Sequence, residues 1–243
     1  MTDALVIAGC LSGEEGDAGI AALVRELTAA VGASVTVRAR TGGRPVGASL
    51  PEALADLRAR GAQRVLVATT HVIDGRLHRE AASAARAAAS GFEKIRLAPP
   101  LLACEEDFAA VAVALDEALP ARPGCVVALA GHRGPECEAT FAQLEGALHA
   151  RGRNDVLVDS AGRLPARLRD RFGRETLLAP LLMSLGHHAR HDVLEELAQR
   201  LSAQTWPHSL AELPAIRSLI VNHAITAKTG RVKTSSSFEH VPF

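Results

Sequence analysis

Short apolar runs alternate with longer Ala/Leu/Arg-rich segments of helical period along almost the whole chain. Runs of four to eight apolar residues between such segments are the pattern of a parallel sheet joined by crossover helices. The first half reads as strands at residues 4–8, 34–39, 64–70 and 94–98, with helices at 17–31, 51–60, 79–89 and 105–119 between and after them. The second half reads as strands at 125–130, 155–159 and 176–183, with helices at 136–150, 165–172, 190–203 and 213–224. The segment Pro120-Ala-Arg-Pro-Gly124 interrupts both periods, which predicts a boundary between an N-terminal lobe, 1–122, and a C-terminal lobe, 123–224. From 225 to 243 the period fades into Thr-Ser-Ser-Ser, and a loose tail is expected.

The two halves repeat one another. Each opens on an apolar strand that ends in glycine, Ala4-Leu-Val-Ile-Ala-Gly9-Cys10 and Val126-Val-Ala-Leu-Ala-Gly131-His132. Each later carries a strand that leads to histidine, at His71 and at His187-His188. The expected fold class is therefore α/β, with two similar Rossmann-like lobes whose parallel sheets face each other across a cleft. Ligands of such sheets sit at the carboxyl ends of the strands.

Composition narrows the chemistry. Hydrophobic residues make up 48% of the chain and aromatic residues 3%, with no tyrosine, so Ala, Leu and Val must fill the interior. That favours helices packed on sheets over an all-β architecture. The 27 basic and 27 acidic residues cancel, which argues against a nucleic-acid or membrane partner. No run is long enough to span a bilayer, and the N-terminus has neither the basic start nor the apolar stretch of a signal peptide. Four isolated cysteines suit a reducing compartment, and the protein reads as cytoplasmic. There is no G-x-G-x-x-G fingerprint, phosphate-loop lysine or G-x-S-x-G elbow, so neither a nucleotide nor an acyl-transfer serine is expected.

The histidines carry what chemistry is legible. His187, His188 and His191 crowd into Gly186-His-His-Ala-Arg-His-Asp192 directly after an apolar strand. On a helix starting there, His188 would share a face with His191 and Asp192, and His187 would pair with His191. Neutral imidazole is a frequent ligand of borderline divalent metals. A polar helix start is the plainer alternative. His132 follows a strand in a glycine-flanked turn, where a ligand can approach closely. His71 closes another strand and could line the cleft, or simply serve a strand-to-helix turn.

Taken in order, Ala68-Thr-Thr-His71-Val-Ile-Asp-Gly75, Pro100-Leu-Leu-Ala-Cys-Glu-Glu-Asp-Phe108, Ala130-Gly-His132 and Pro180-Leu-Leu-Met-Ser-Leu-Gly-His-His188-Ala-Arg-His-Asp192 resemble the sirohydrochlorin cobaltochelatases of the anaerobic pathway. That family is related to the ferrochelatases. The resemblance runs from Ala4 to about Ala224. It implies ATP-independent insertion of a divalent metal into sirohydrochlorin during cobalamin biosynthesis, with Co2+ as the metal substrate and Ni2+ or Fe2+ as alternatives. It also implies His132 and His188 as catalytic residues and metal ligands, with His187 and His191 as further ligands. Gly9, Cys10, Leu11, His71, Arg133 and Ala161 would contact the tetrapyrrole. Arginines such as Arg76, Arg133, Arg163 and Arg190 would suit its carboxylates.

The chain departs from the family pattern at Ala161, where the family has a glutamate; Asp159, two residues earlier in the strand, would share its face. The turn after His132 carries Arg133 in place of a second glycine, and the stretch after Asp192 is shorter than the family's. A non-catalytic tetrapyrrole or metal carrier on the same fold remains the alternative reading, and a homo-oligomer is compatible with either.

Overall fold

A computed structural model of the chain describes residues 3–9, 17–42, 47–134, 136–169, 175–186 and 189–230. It contains two four-stranded, all-parallel sheets with helices between their strands.

The first sheet is built from β1 (Asp3–Gly9), β2 (Val35–Arg40), β3 (Arg64–Thr69) and β4 (Lys94–Leu97), in the order β2-β1-β3-β4. Its connecting helices are α1 (Ala18–Val31), α2 (Leu50–Ala59) and α3 (Arg76–Ala88). Central strand β1 is buried from Ala4 to Gly9, as expected where helices cover both faces of a parallel sheet. On one face Ala4, Val6, Ala8, Val65 and Val67 form a core with Leu50, Leu54 and Leu57 of α2 and Ala81 and Ala85 of α3. Helix α2 starts on a capping box: Ser49 accepts from the Glu52 N–H, and the Glu52 carboxylate accepts from the Ser49 N–H at 2.7 Å.

The second sheet repeats that topology with β5 (Cys125–Gly131), β6 (Val156–Ser160), β7 (Glu175–Pro180) and β8 (Gln204–Thr205), in the order β6-β5-β7-β8. Equivalent hydrogen bonds recur in the two sheets. Thr70 N–H donates to Ala8 O and Leu181 N–H to Ala130 O, each at 2.9 Å. Val126, Ala128, Ala130, Leu157 and Leu178 pack against Leu164 of α6 (Leu164–Leu168) and against Val193 and Leu197. Helices α4 (Glu105–Ala118) and α5 (Cys137–Ala150) complete this half. The repeat expected from the two glycine-ended strands is thus present as a repeated strand order.

The compact units differ from the expected lobes. One comprises Met1–Ser12, Ala21–Cys104 and Arg217–Phe243, the other Gly13–Ile20 and Glu105–Ile216. The first boundary therefore falls before α4, rather than at residue 122. Arg153, only 6% exposed, explains the shift. Its guanidinium donates to Asp155 at 2.9 Å and to the carbonyls of Leu119 and Pro120 at 3.3 Å, while Arg151 holds Asp116 of α4 at 2.9 Å. These bonds fasten the end of α4 to the second unit. The expected start of a tail at residue 225 is corrected as well. Helix α8 (Pro214–Thr229) runs straight through that position, and from Arg217 onward it belongs to the first unit. Arg217 Nε meets Glu26 at 2.8 Å, and Arg96 donates to Ala227 O at 2.7 Å.

Two further differences bear on the site. The segment expected as an α-helix from residue 190 is a π-helix over Ala189–Leu197 that passes into the short α7 (Ala198–Leu201). The two-residue β8 was not expected, because it is too short to show a period.

Candidate active site

In the second unit the candidates gather at the carboxyl ends of β5 and β6. His132 directly follows β5 and is exposed. Gly131, which precedes it, is packed so closely that a Cβ there would lie 2.3 Å from Cζ of Phe141 on α5. This contact fixes the backbone from which His132 projects. Ala161 follows β6, and its N–H donates to Gly131 O at 3.3 Å, so Ala161 and His132 sit on neighbouring strand ends. The Arg133 side chain extends over Gly162, with Nε 3.6 Å from where a Cβ on that glycine would stand. The structure thus brings together three of the expected residues: His132, Arg133 and Ala161. Arg133 forms no ion pair among the described residues.

Ala161 is 8% exposed and packs within the apolar core of this unit. Asp159, on the same strand face, is 6% exposed and already engaged. One oxygen accepts from the Ser160 N–H at 2.7 Å, and the other lies 3.5 Å from Arg163 and 3.8 Å from Arg167. Arg163 also pairs with Glu138. Arg167 forks onto Glu145 at 2.7 and 2.8 Å. Burial pushes the Glu145 carboxyl up, but Arg167 and the Val158 N–H outweigh it and hold the group below its ordinary value. Asp159 therefore belongs to a structural network of arginines and acids, which leaves it poorly placed to stand in for a glutamate at 161.

In the first unit, Gly9 ends β1 where a Cβ would lie 1.8 Å from Thr70 Oγ1. Only a residue without a side chain fits there. Next to Thr70, His71 is 8% exposed, and its Nε2 shares a 2.9 Å hydrogen bond with Thr41 Oγ1. Its ring meets that of His78 edge to face, with centroids 5.7 Å apart. His78, also 8% exposed, shares a 3.3 Å bond with Thr69 Oγ1 through Nδ1, and burial pulls its pKa down. Sequence reasoning missed Thr41, Thr69 and the place of His78. A histidine at the third position of a helix carried no usable signal, and Thr41 meets His71 only through the fold.

Of the expected histidine cluster, His191 lies in the π-helix, where its Nδ1 meets Glu195, four residues on, at 2.7 Å. Arg190 donates to Leu185 O at 2.7 Å, and Arg76 pairs with Glu80. Cys10, Leu11, His187 and His188 lie outside the described residues. Among the described residues, no three His, Cys, Asp or Glu side chains gather into a group able to hold a metal. No described helix is long and apolar enough to cross a membrane.

Residues 35–228 match the family model for cobalt chelatase (CbiK). The chain belongs to that family. The chelatase is 27% identical over 195 residues to the sirohydrochlorin cobaltochelatase of Salmonella typhimurium, an alignment covering 71% of each chain. Its fold is shared with SirB from Bacillus subtilis with Fe3+, at a TM-score of 0.66 and 15% identity, covering 95% of this chain and 98% of the other. The sirohydrochlorin chelatase SirB from Bacillus subtilis subspecies spizizenii, in complex with cobalt, matches with a TM-score of 0.65 and 17% identity over 95% and 97% of the two chains. The family and fold expected from the ordered motifs are both found.

Proposed function

We propose that this chelatase inserts Co2+ into sirohydrochlorin without a nucleotide, and that His132 is a catalytic residue. The carrying observation is an exposed histidine at the carboxyl end of the central strand β5, in a chain whose cobalt chelatase match runs from β2 to the end of α8. Inserting M2+ displaces two pyrrole N–H protons, so the product is the metallated macrocycle and two H+. Imidazole, with an ordinary pKa near 6.5, can offer its lone pair to the incoming ion or accept one of those protons at neutral pH. His188 is the second catalytic histidine on this reading, with His187 and His191 as additional ligands. Gly9, Cys10, Leu11, His71, Arg133 and Ala161 line the substrate.

The chemistry of the described parts supports the assignment. Arg133 offers a guanidinium, with no ion pair among the described residues, to the carboxylates of the tetrapyrrole. Ni2+ and Fe2+ are alternative metals, since imidazole accepts all three. The reaction runs in the cytoplasm, with neither nucleic acid nor membrane as a partner and with room for a homo-oligomer.

The test is anaerobic mixing of purified protein with sirohydrochlorin and Co2+ while the absorption spectrum is followed. Metallation well above the protein-free rate is expected, with a loss of about 100-fold or more in His132→Ala. A spectral shift on binding with no acceleration would identify a carrier instead. Equal rates for the wild type and His132→Ala would remove His132 from the reaction.

A further inference from the structure

The first unit has a concavity at the opposite end of its sheet from Gly9 and His71. It has a volume of about 300 Å³ and lies at the amino-terminal ends of β1, β3 and β4. Arg64, Lys94, Arg96 and Lys228 line it, and Asp3 is the one acid among the lining residues. Two of the chain's three lysines are here.

Much of this charge has a visible structural partner. Arg64 forks onto Asp3 at 2.6 and 2.9 Å. Arg96 donates to Ala227 O at 2.7 Å and Lys228 O at 3.2 Å, and Lys228 Nζ donates to Val31 O. These carbonyls are the ends of α8 and α1, and a helix C-terminus carries about half a negative charge. The partners do not neutralise the cavity. After Asp3 cancels one cation, three remain against two half-charges, an excess of about two positive charges. Glu93 acts on Arg64 without being among the lining residues. Lys94 is exposed, and its side chain has no partner among the described residues.

The backbone accommodates the arrangement. Gly230 closes α8 at φ +73°, its N–H donating to Thr226 O at 3.0 Å, and a Cβ there would lie 2.5 Å from the Arg96 guanidinium. Like charges held around an open volume repel one another, and a multivalent anion relieves that repulsion.

We propose that this cavity binds a small multivalent oxyanion, bearing phosphate or carboxylate groups, at a site separate from the carboxyl-end residues of the same sheet. Lys94 presents an ammonium group that an oxyanion can reach as a point charge, and the N–H groups that Arg64, Arg96 and Lys228 do not commit to Asp3 and the helix-end carbonyls add donors around it. The volume lies at the lower end of the range for small-molecule pockets, which suits an anion of the size of pyrophosphate or citrate.

Isothermal titration of the full chain with pyrophosphate, and separately with citrate, at low ionic strength tests the site and distinguishes the two sources. Saturable binding of one equivalent of at least one of them is expected, with chloride at matched ionic strength producing none. Lys94→Glu should weaken that binding by about tenfold or more while leaving the melting temperature nearly unchanged, because the exposed Lys94 side chain has no partner among the described residues. Lys94→Gln, which removes the charge without reversing it, gives a smaller loss and serves if the first variant misfolds. Absence of saturable binding, or equal affinity in the wild type and both variants, would overturn the proposal.

Discussion

The imidazoles of His71 and His78 meet at right angles in the first unit, 5.7 Å between centroids and 89° between planes. One follows β3 and the other lies in the first turn of α3, so the pair ties a strand end to the helix that follows it. Both rings are buried, and each shares a hydrogen bond with a threonine hydroxyl.

This burial gives a pH dependence. Desolvation lowers the His78 pKa, Asp74 opposes the shift and Arg79 adds to it. In the unfolded chain the group titrates near its ordinary 6.5. As pH falls through that value, the unfolded state takes up a proton that the folded state resists, so stability declines until the folded pKa is reached and then levels off. His78→Phe should keep the packing and remove this contribution. Urea unfolding between about pH 7.5 and pH 5 should therefore show a shallower acid decline in the variant than in the wild type.

Arg153 is the fastening of α4 to the second unit. Its removal takes the side-chain donor from Asp155 and from the carbonyls of Leu119 and Pro120, while Asp116 keeps Arg151. Arg153→Met should cost about 3 kcal/mol in urea unfolding at neutral pH, a figure reduced from that of a fully buried pair because both acids are partly exposed. A cost near zero would mean that α4 is held by apolar packing alone.

Ala161 offers a gain-of-function test. The family resemblance puts a glutamate there, and Ala161 neighbours the strand end that carries His132. Ala161→Glu should raise the initial rate of Co2+ insertion about tenfold or more. It should also lower the melting temperature, since the position is buried within an apolar core. An unchanged rate in a folded variant would show that no acid is needed at this position.

Cys137, buried in the first turn of α5, is a poor nucleophile. Burial, with Glu136 and Glu138 adding to it, pushes its pKa up to about 11. Iodoacetamide treatment of the native protein near pH 8, followed by peptide mass spectrometry, should find Cys137 unmodified. Denaturation should make it react.

The strand and helix pattern was legible in the sequence because parallel strands covered on both faces are continuous apolar runs, as in Leu5-Val6-Ile7 and Val126-Val127-Ala128. Gly9 and Gly131 announced the repeat, and His132 stood at a strand end where the structure also has it. The π-helix over Ala189–Leu197 was not legible, because an Ala/Leu/Glu segment reads as α-helical in any local window. Nor was strand β8, whose two residues exist as a strand only through pairing with Leu177 and Leu178.

The sequence by itself determined the α/β class, the two repeated sheets, the chelatase family and the position of His132. Each rests on local period or on motifs a few residues long. Tertiary structure decided which unit owns α4 and α8, through Arg153, Arg96 and Arg217 reaching residues distant in the chain. It also turned His71 toward Thr41 and His78 and bound Asp159 to Arg163 and Arg167. A side chain's partner depends on which elements pack together, and that is fixed only when the whole core closes.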